Sequence, residues 1–153
     1  MLFLVFQLGA DRFALDTACV AEVLPLVMVT PLPHAPAGVA GIFNYHGAPV
    51  PVVDLSQLTM GRPAEERRNT RLVLVHYPDR RGAMRLLGLI AEKATETVRR
   101  EPSDFVPSGV TNPLTPHLGP VASDARGLMQ WIDVAALLPA TVRDLLFAEA
   151  VTR

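Results

Sequence analysis

The stretch Gly38-Val39-Ala40-Gly41-Ile42-Phe43-Asn44-Tyr45-His46-Gly47-Ala48-Pro49-Val50-Pro51-Val52-Val53-Asp54-Leu55 holds two apolar, strand-like runs joined by a tight polar turn and closed by a carboxylate. Asn44 and Gly47 bracket Tyr45 and His46. Asn and Gly tolerate positive φ, so the spacing predicts a hairpin that holds two side chains outward. Pro49 and Pro51 have no N–H to give a neighbouring strand, which places the second run at a sheet edge or a strand start. Asp54, where that run ends, is expected to accept backbone N–H groups of the next turn.

Outward from this hairpin, fourteen prolines and ten glycines cut the chain into short apolar runs, a pattern that favours many brief strands over long helices. Strands are predicted over 2–8, 12–15, 22–26, 38–45, 48–55, 72–76, 84–90, 95–99 and 128–132. Several, such as Leu72-Val73-Leu74-Val75, are apolar on both faces, as in small barrels packed against each other. Asp16 is expected to cap a single helical turn over 16–20. Thr141 is expected to cap a terminal helix over about 141–150, with Val142, Leu145 and Leu146 on one face and Glu149 following at the same spacing. The polar segment 61–70 reads as a solvated loop between two halves, and 107–120 as irregular chain.

A chain of 153 residues suits one domain or two small subdomains. Half the residues are hydrophobic, 19% are charged and the formal net charge is −1, which argues against disorder and against a polyanion partner, so no nucleic acid is expected. The opening run Leu2-Phe3-Leu4-Val5-Phe6 has no basic residue before it and is interrupted by Gln7. It reads neither as a secretory signal nor as a span, and the chain reads as cytoplasmic without direct membrane insertion. The single cysteine, Cys19, cannot form an internal disulfide and is expected to be a small buried apolar group. His34, His46, His76 and His117 fit neither a metal-ligand spacing nor a nucleophile with its base, so no metal, cofactor or catalytic residue is expected. Trp131 reads as core.

The 38–55 stretch resembles a block of the CheW family of bacterial chemotaxis coupling proteins, in which an Asn-Leu-Arg-Gly turn precedes an apolar strand ending in Pro-Ile/Val-Val-Asp-Leu. Other pieces follow in the family's order. Phe3-Leu4-Val5-Phe6-Gln7-Leu8-Gly9 resembles its opening strand, Phe13-Ala14-Leu15-Asp16 its second, and Val20-Ala21-Glu22-Val23 its Val-x-Glu-Ile/Val segment. Leu87-Gly88-Leu89-Ile90 and Gly127-Leu128-Met129-Gln130-Trp131-Ile132-Asp133 resemble its later strands. The resemblance implies a mainly β fold of two SH3-like five-stranded β-barrel subdomains packed side by side with a C-terminal helix. The subdomains are expected at about 12–66 and 71–134, with strand 2–8 belonging to either.

It further implies a non-catalytic adaptor between the helical hairpin tip of a methyl-accepting chemotaxis receptor and the regulatory domain of a CheA-type histidine kinase. Such a protein sits at the inner membrane through receptor arrays. Val20, Glu22 and the turn residues Asn44, Tyr45, His46 and Gly47 match positions implicated in receptor docking; no kinase contact is implied for any residue. Gly41, Pro51 and Asp54 match positions that shape the fold.

One departure stands out. His46 occupies the place where most members have Arg, and that arginine pairs with the glutamate matching Glu22. Arginine is permanently charged and forks onto a carboxylate, so the expectation here is a weaker Glu22–His46 pair that tightens as pH falls towards about 6. With Tyr45 beside it, this departure leans towards a pathway other than the main flagellar one, such as surface sensing, cyclic-di-GMP synthesis or pilus-driven motility. The alternative reading is a small-ligand-binding or enzymatic β-barrel, for which the four histidines are the only material. A fragment of a larger protein is a third reading, against which the helix after the last strand is expected to argue.

Overall fold

A computed structural model describes residues 1–148 of the chain. Nine strands are described: β1 (Leu2–Leu8), β2 (Asp11–Asp16), β3 (Val20–Pro25), β4 (Val39–Tyr45), β5 (Ala48–Asp54), β6 (Arg71–Pro78), β7 (Met84–Arg99), β8 (Leu118–Asp124) and β9 (Gly127–Ile132). Two short helices, α1 (Leu55–Met60) and α2 (Ala140–Leu146), accompany them, with single 3-10 turns at Thr17–Cys19, Pro102–Asp104 and Val134–Ala136. The mainly β class agrees with the sequence expectation, and the expected cap of the first turn is present: Asp16 Oδ1 accepts the Ala18 N–H at 3.0 Å.

The strands form two five-stranded sheets that share β7. One runs β3-β6-β7-β5-β4 and the other β7-β1-β2-β9-β8. Up to Ala91, β7 pairs with β6; from Glu92 onward it pairs with β1, and the crossing falls where Lys93 takes φ 50°. In each sheet the fourth strand joins in parallel and the others antiparallel. Each sheet also curls so that its outer strands approach. A backbone bridge between Thr30 and Ile42 helps close the first, and one between Val106 and Val121 helps close the second, an arrangement consistent with SH3-like barrels.

Two-sided burial explains the apolar runs. On β6, Leu72 and Leu74 fill the first barrel with Phe43, Val50 and Val52, while Val73, Val75 and Tyr77 face the seam between the barrels. On β1, Phe3 and Val5 fill the second barrel with Phe105, Ala122 and Met129, while Leu4, Phe6 and Leu8 face the same seam. Successive side chains of a strand point to opposite faces, so one strand serves two cores. Trp131 packs into the second barrel edge-on to Phe3, with centroids 4.9 Å apart.

Several expectations are corrected. The contiguous split into 12–66 and 71–134 does not match the pairing, because the first sheet draws on β3 to β6 and the start of β7, and the second on both ends of the chain. Segment 61–70 therefore joins α1 to β6 within one sheet and does not separate the halves. The strands expected at 84–90 and 95–99 are one, β7, and β8 reaches into the segment expected to be irregular. Leu55 opens α1 and is not the end of a strand.

The terminal helix also differs from expectation. It starts after Pro139, with no side-chain cap from Thr141, and ends at Leu146. Val142 and Leu146 of the expected apolar face pack partly buried against the seam core, whereas Leu145 is 61% exposed. Phe147 adds an anchor by stacking on Tyr77 at 5.8 Å, once Leu137 and Leu138 have entered the core. Glu149 lies outside the described residues.

Candidate docking surface at the mouth of the first barrel

β4 and β5 meet in a two-residue loop, with Tyr45 paired to Ala48 and His46-Gly47 at the tip. Both tip residues have positive φ, 50° and 87°, the signature of a type I′ hairpin turn. Asn44 Oδ1 accepts the Gly47 N–H at 2.7 Å and steadies the turn. Asn44 and Tyr45 thus belong to the strand, and only His46 and Gly47 are turn. Beyond the tip, β7 pairs only with Val52–Asp54 of β5. The Pro49–Pro51 stretch therefore has an open edge, as its missing N–H groups require.

The strand that carries Glu22 is not hydrogen-bonded along its length to the strand that carries Tyr45: β3 and β4 are the outer strands of the first sheet. The Tyr45 hydroxyl donates to Glu22 Oε2 and laces the two edges together. That hydrogen bond, ahead of burial and the charge of the carboxylate, raises the phenol above its ordinary titration range, so the hydroxyl keeps its proton and remains the donor. The expected Glu22–His46 pair is not formed. His46 turns its ring edge-on to Tyr45 at 4.4 Å between centroids, and the phenol takes the carboxylate.

Glu22, Asn44, Tyr45 and His46 line one depression of about 460 Å³ together with Leu24, Val27, Met28 and Phe43. Gly47 stands at the turn tip beside it. Val20, two positions before Glu22, pairs with Val75 at the start of β3 and packs against the seam core, so it does not line the depression. The apolar half of the surface was missed in the sequence. Met28 is 91% exposed. Its signal was the run Leu24-Pro25-Leu26-Val27-Met28-Val29, which continues past the strand-ending proline without a polar residue.

The geometry offers little for catalysis. Burial, then the charge of Asp16, pushes the Cys19 thiol up to about 11, far from the thiolate a nucleophile requires. His117 is buried, and its Nε2 shares a hydrogen bond with Thr59 Oγ1 at 3.0 Å, tying the approach to β8 to α1. Among the described residues, no group of three or more His, Cys, Asp or Glu side chains is placed to hold a metal ion. No described helix is long and apolar enough to cross a membrane.

Residues 2–142 match the family described as CheW-like domain. The chain belongs to that family. The chemotaxis protein CheW of Rhizobium meliloti (strain 1021) is 29% identical to this CheW-like chain over 105 residues, 69% of this chain and 64% of that protein. The chemotaxis protein CheW of Helicobacter pylori is 27% identical over 106 residues, covering 69% and 61%. The matched part of the CheW-like chain therefore spans somewhat less than two thirds of these relatives. In fold it is similar to the crystal structure of the scaffolding protein TtCheW from Thermoanaerobacter tengcongensis, with a TM-score of 0.79 at 23% identity over 95% of this chain and 93% of that one.

Proposed function

We propose that this chain is a non-catalytic adaptor of a bacterial chemosensory array, coupling the helical hairpin tip of a methyl-accepting receptor to a CheA-type histidine kinase. The family match over residues 2–142 carries the reading. The depression at the first barrel's mouth supports the placement of the receptor contact. It offers exposed apolar side chains beside one carboxylate and a turn held at fixed φ, a surface suited to the apolar ridge of a helix. Glu22, Asn44, Tyr45, His46 and Gly47 form this contact in the proposal, and Val20 supports it from beneath as the start of the same strand. The protein works in the cytoplasm and reaches the inner membrane through its receptor. His46 at the turn tip, in place of the family's arginine, favours partners outside the main flagellar pathway.

The test is reconstitution with the receptor signalling fragment and the kinase of the same organism. The expected result is a ternary complex in which kinase autophosphorylation depends on this chain, and in which Met28→Asp weakens receptor capture while the far-ultraviolet spectrum is unchanged. Absence of binding to both proteins, or turnover of a metabolite by the purified chain, overturns the proposal.

A further inference from the structure

The two barrels are closed in the same way but with different charge chemistry. In the second, Asp124 at the end of β8 bonds to Arg100, which follows β7, at 3.1 Å, and to Arg12 of β2 at 2.6 Å. In the first, Tyr45 at the end of β4 bonds to Glu22 of β3. Tyr45 and Asp124 occupy equivalent places, since each is the last strand residue before a two-residue hairpin loop. The second closure holds a carboxylate between two guanidinium groups. The first holds a carboxylate against a neutral phenol, and no lysine or arginine is among the described residues that line the depression beside it. Glu22 stands at the rim of this depression, whose other walls include Leu24, Val27, Met28 and Phe43.

We propose that the Glu22 carboxylate, held by Tyr45 at the mouth of the first barrel, is the acceptor for a lysine or arginine on the partner's helix, set beside the apolar ridge that covers Met28 and Leu24. This rests on the docking reading above and names the chemistry of the partner it requires. Covering the depression with an apolar ridge removes Glu22 from water. A buried carboxylate without a counter-charge is costly, so a helix lacking a basic residue there is rejected and one carrying it is selected. The phenol holds the carboxylate in place without neutralising it, and Tyr45 in this sense is a positioning residue.

The experiment titrates the receptor's cytoplasmic hairpin fragment into the full chain by calorimetry at about 50 and 300 mM salt, with wild type, Glu22→Gln, Glu22→Lys and Met28→Asp. Glu22→Gln preserves the shape and the acceptor for Tyr45. It is expected to weaken binding roughly fivefold or more at low salt and to remove most of the salt dependence. One hairpin variant in which a single Lys or Arg is changed to Glu is expected to lose the wild-type protein and to regain binding to Glu22→Lys. If Met28→Asp abolishes binding while Glu22→Gln binds as wild type at both salt concentrations, the docking surface stands and the basic partner residue is overturned. If the wild type does not bind the hairpin at all, the docking reading falls, and this inference with it.

Discussion

His46 carries φ 50° in a turn whose second residue is Gly47 at 87°. A side chain with Cβ in the left-handed region costs roughly 1–2 kcal/mol, and Asn bears that cost best because its short amide can bond locally. His46→Asn is therefore expected to stabilise the protein by up to about 1 kcal/mol, read as a rise in the midpoint of urea unfolding. His46→Val is expected to move it the other way. A position that keeps a strained histidine where Asn fits better is one where stability alone does not choose the residue. Gly41 is different in kind: at φ 149° beside the β4 bulge, any Cβ would run into the carbonyl of Thr30 and open the bridge that helps close the barrel. At this scale the sequence was legible where the chemistry is local. Asn44, Gly47 and Asp54 announce a turn and a cap by type and spacing. The Tyr45–Glu22 bond was not legible, because its partners are separated by 23 positions and lie on strands with no shared hydrogen-bond ladder, and nothing local reports which of Tyr45 and His46 turns back.

Asp54 shows how one side chain organises an element. Its Oδ1 accepts the N–H groups of Ser56 and Gln57 at the start of α1, at 2.9 and 3.2 Å, and its Oδ2 accepts the Ala64 N–H at 2.9 Å. A strand end, a helix and the following loop are thus fastened to one carboxylate. Asp54→Ala is expected to cost about 2 kcal/mol, the sum of a lost N-cap and one further bond, measured by chemical denaturation. The elements missed in the sequence were those that contradict their own composition. α1 is six residues long, too short to display a period. β8 contains Gly119 and Pro120, which read as a break. β7 looked like two strands because Glu92 and Lys93 interrupt its apolar pattern just where it leaves one sheet for the other.

Across the whole molecule, the Arg12–Asp124–Arg100 cluster fastens β2, the end of β7 and the β8–β9 hairpin to one another. Hydrogen bonds from Arg12, ahead of the Arg126 N–H and Arg100, lower the Asp124 carboxyl to about 2. An unfolded aspartate titrates near about 3.9. The folded form therefore binds its proton later, and this contribution is complete above pH about 4 and fades as pH falls towards about 2. Asp124→Asn is expected to be less stable than wild type at neutral pH and to show a flatter acid limb. His117 acts over a higher window with the same sign. Its burial lowers its proton affinity below that of an unfolded histidine, so stability is full above pH about 6.5 and declines below it as the unfolded chain takes up a proton. His117→Gln is expected to remove that slope between pH about 7 and 5, in urea unfolding followed at several pH values. Steep acid limbs that persist unchanged in both variants would refute this assignment.

β7 carries one further consequence. Because it lends one half to each barrel, and because β1 and β2 find their other partners in β7 and β9, the β1–β2 hairpin, synthesised ahead of the other strands of this domain, lacks part of its sheet until residues 127–132 have emerged. Translation at about 5–20 residues per second leaves that apolar hairpin waiting for several seconds. Within this domain the second barrel is therefore the last to be completed, although two of its strands, β1 and β2, are synthesised before any strand of the first.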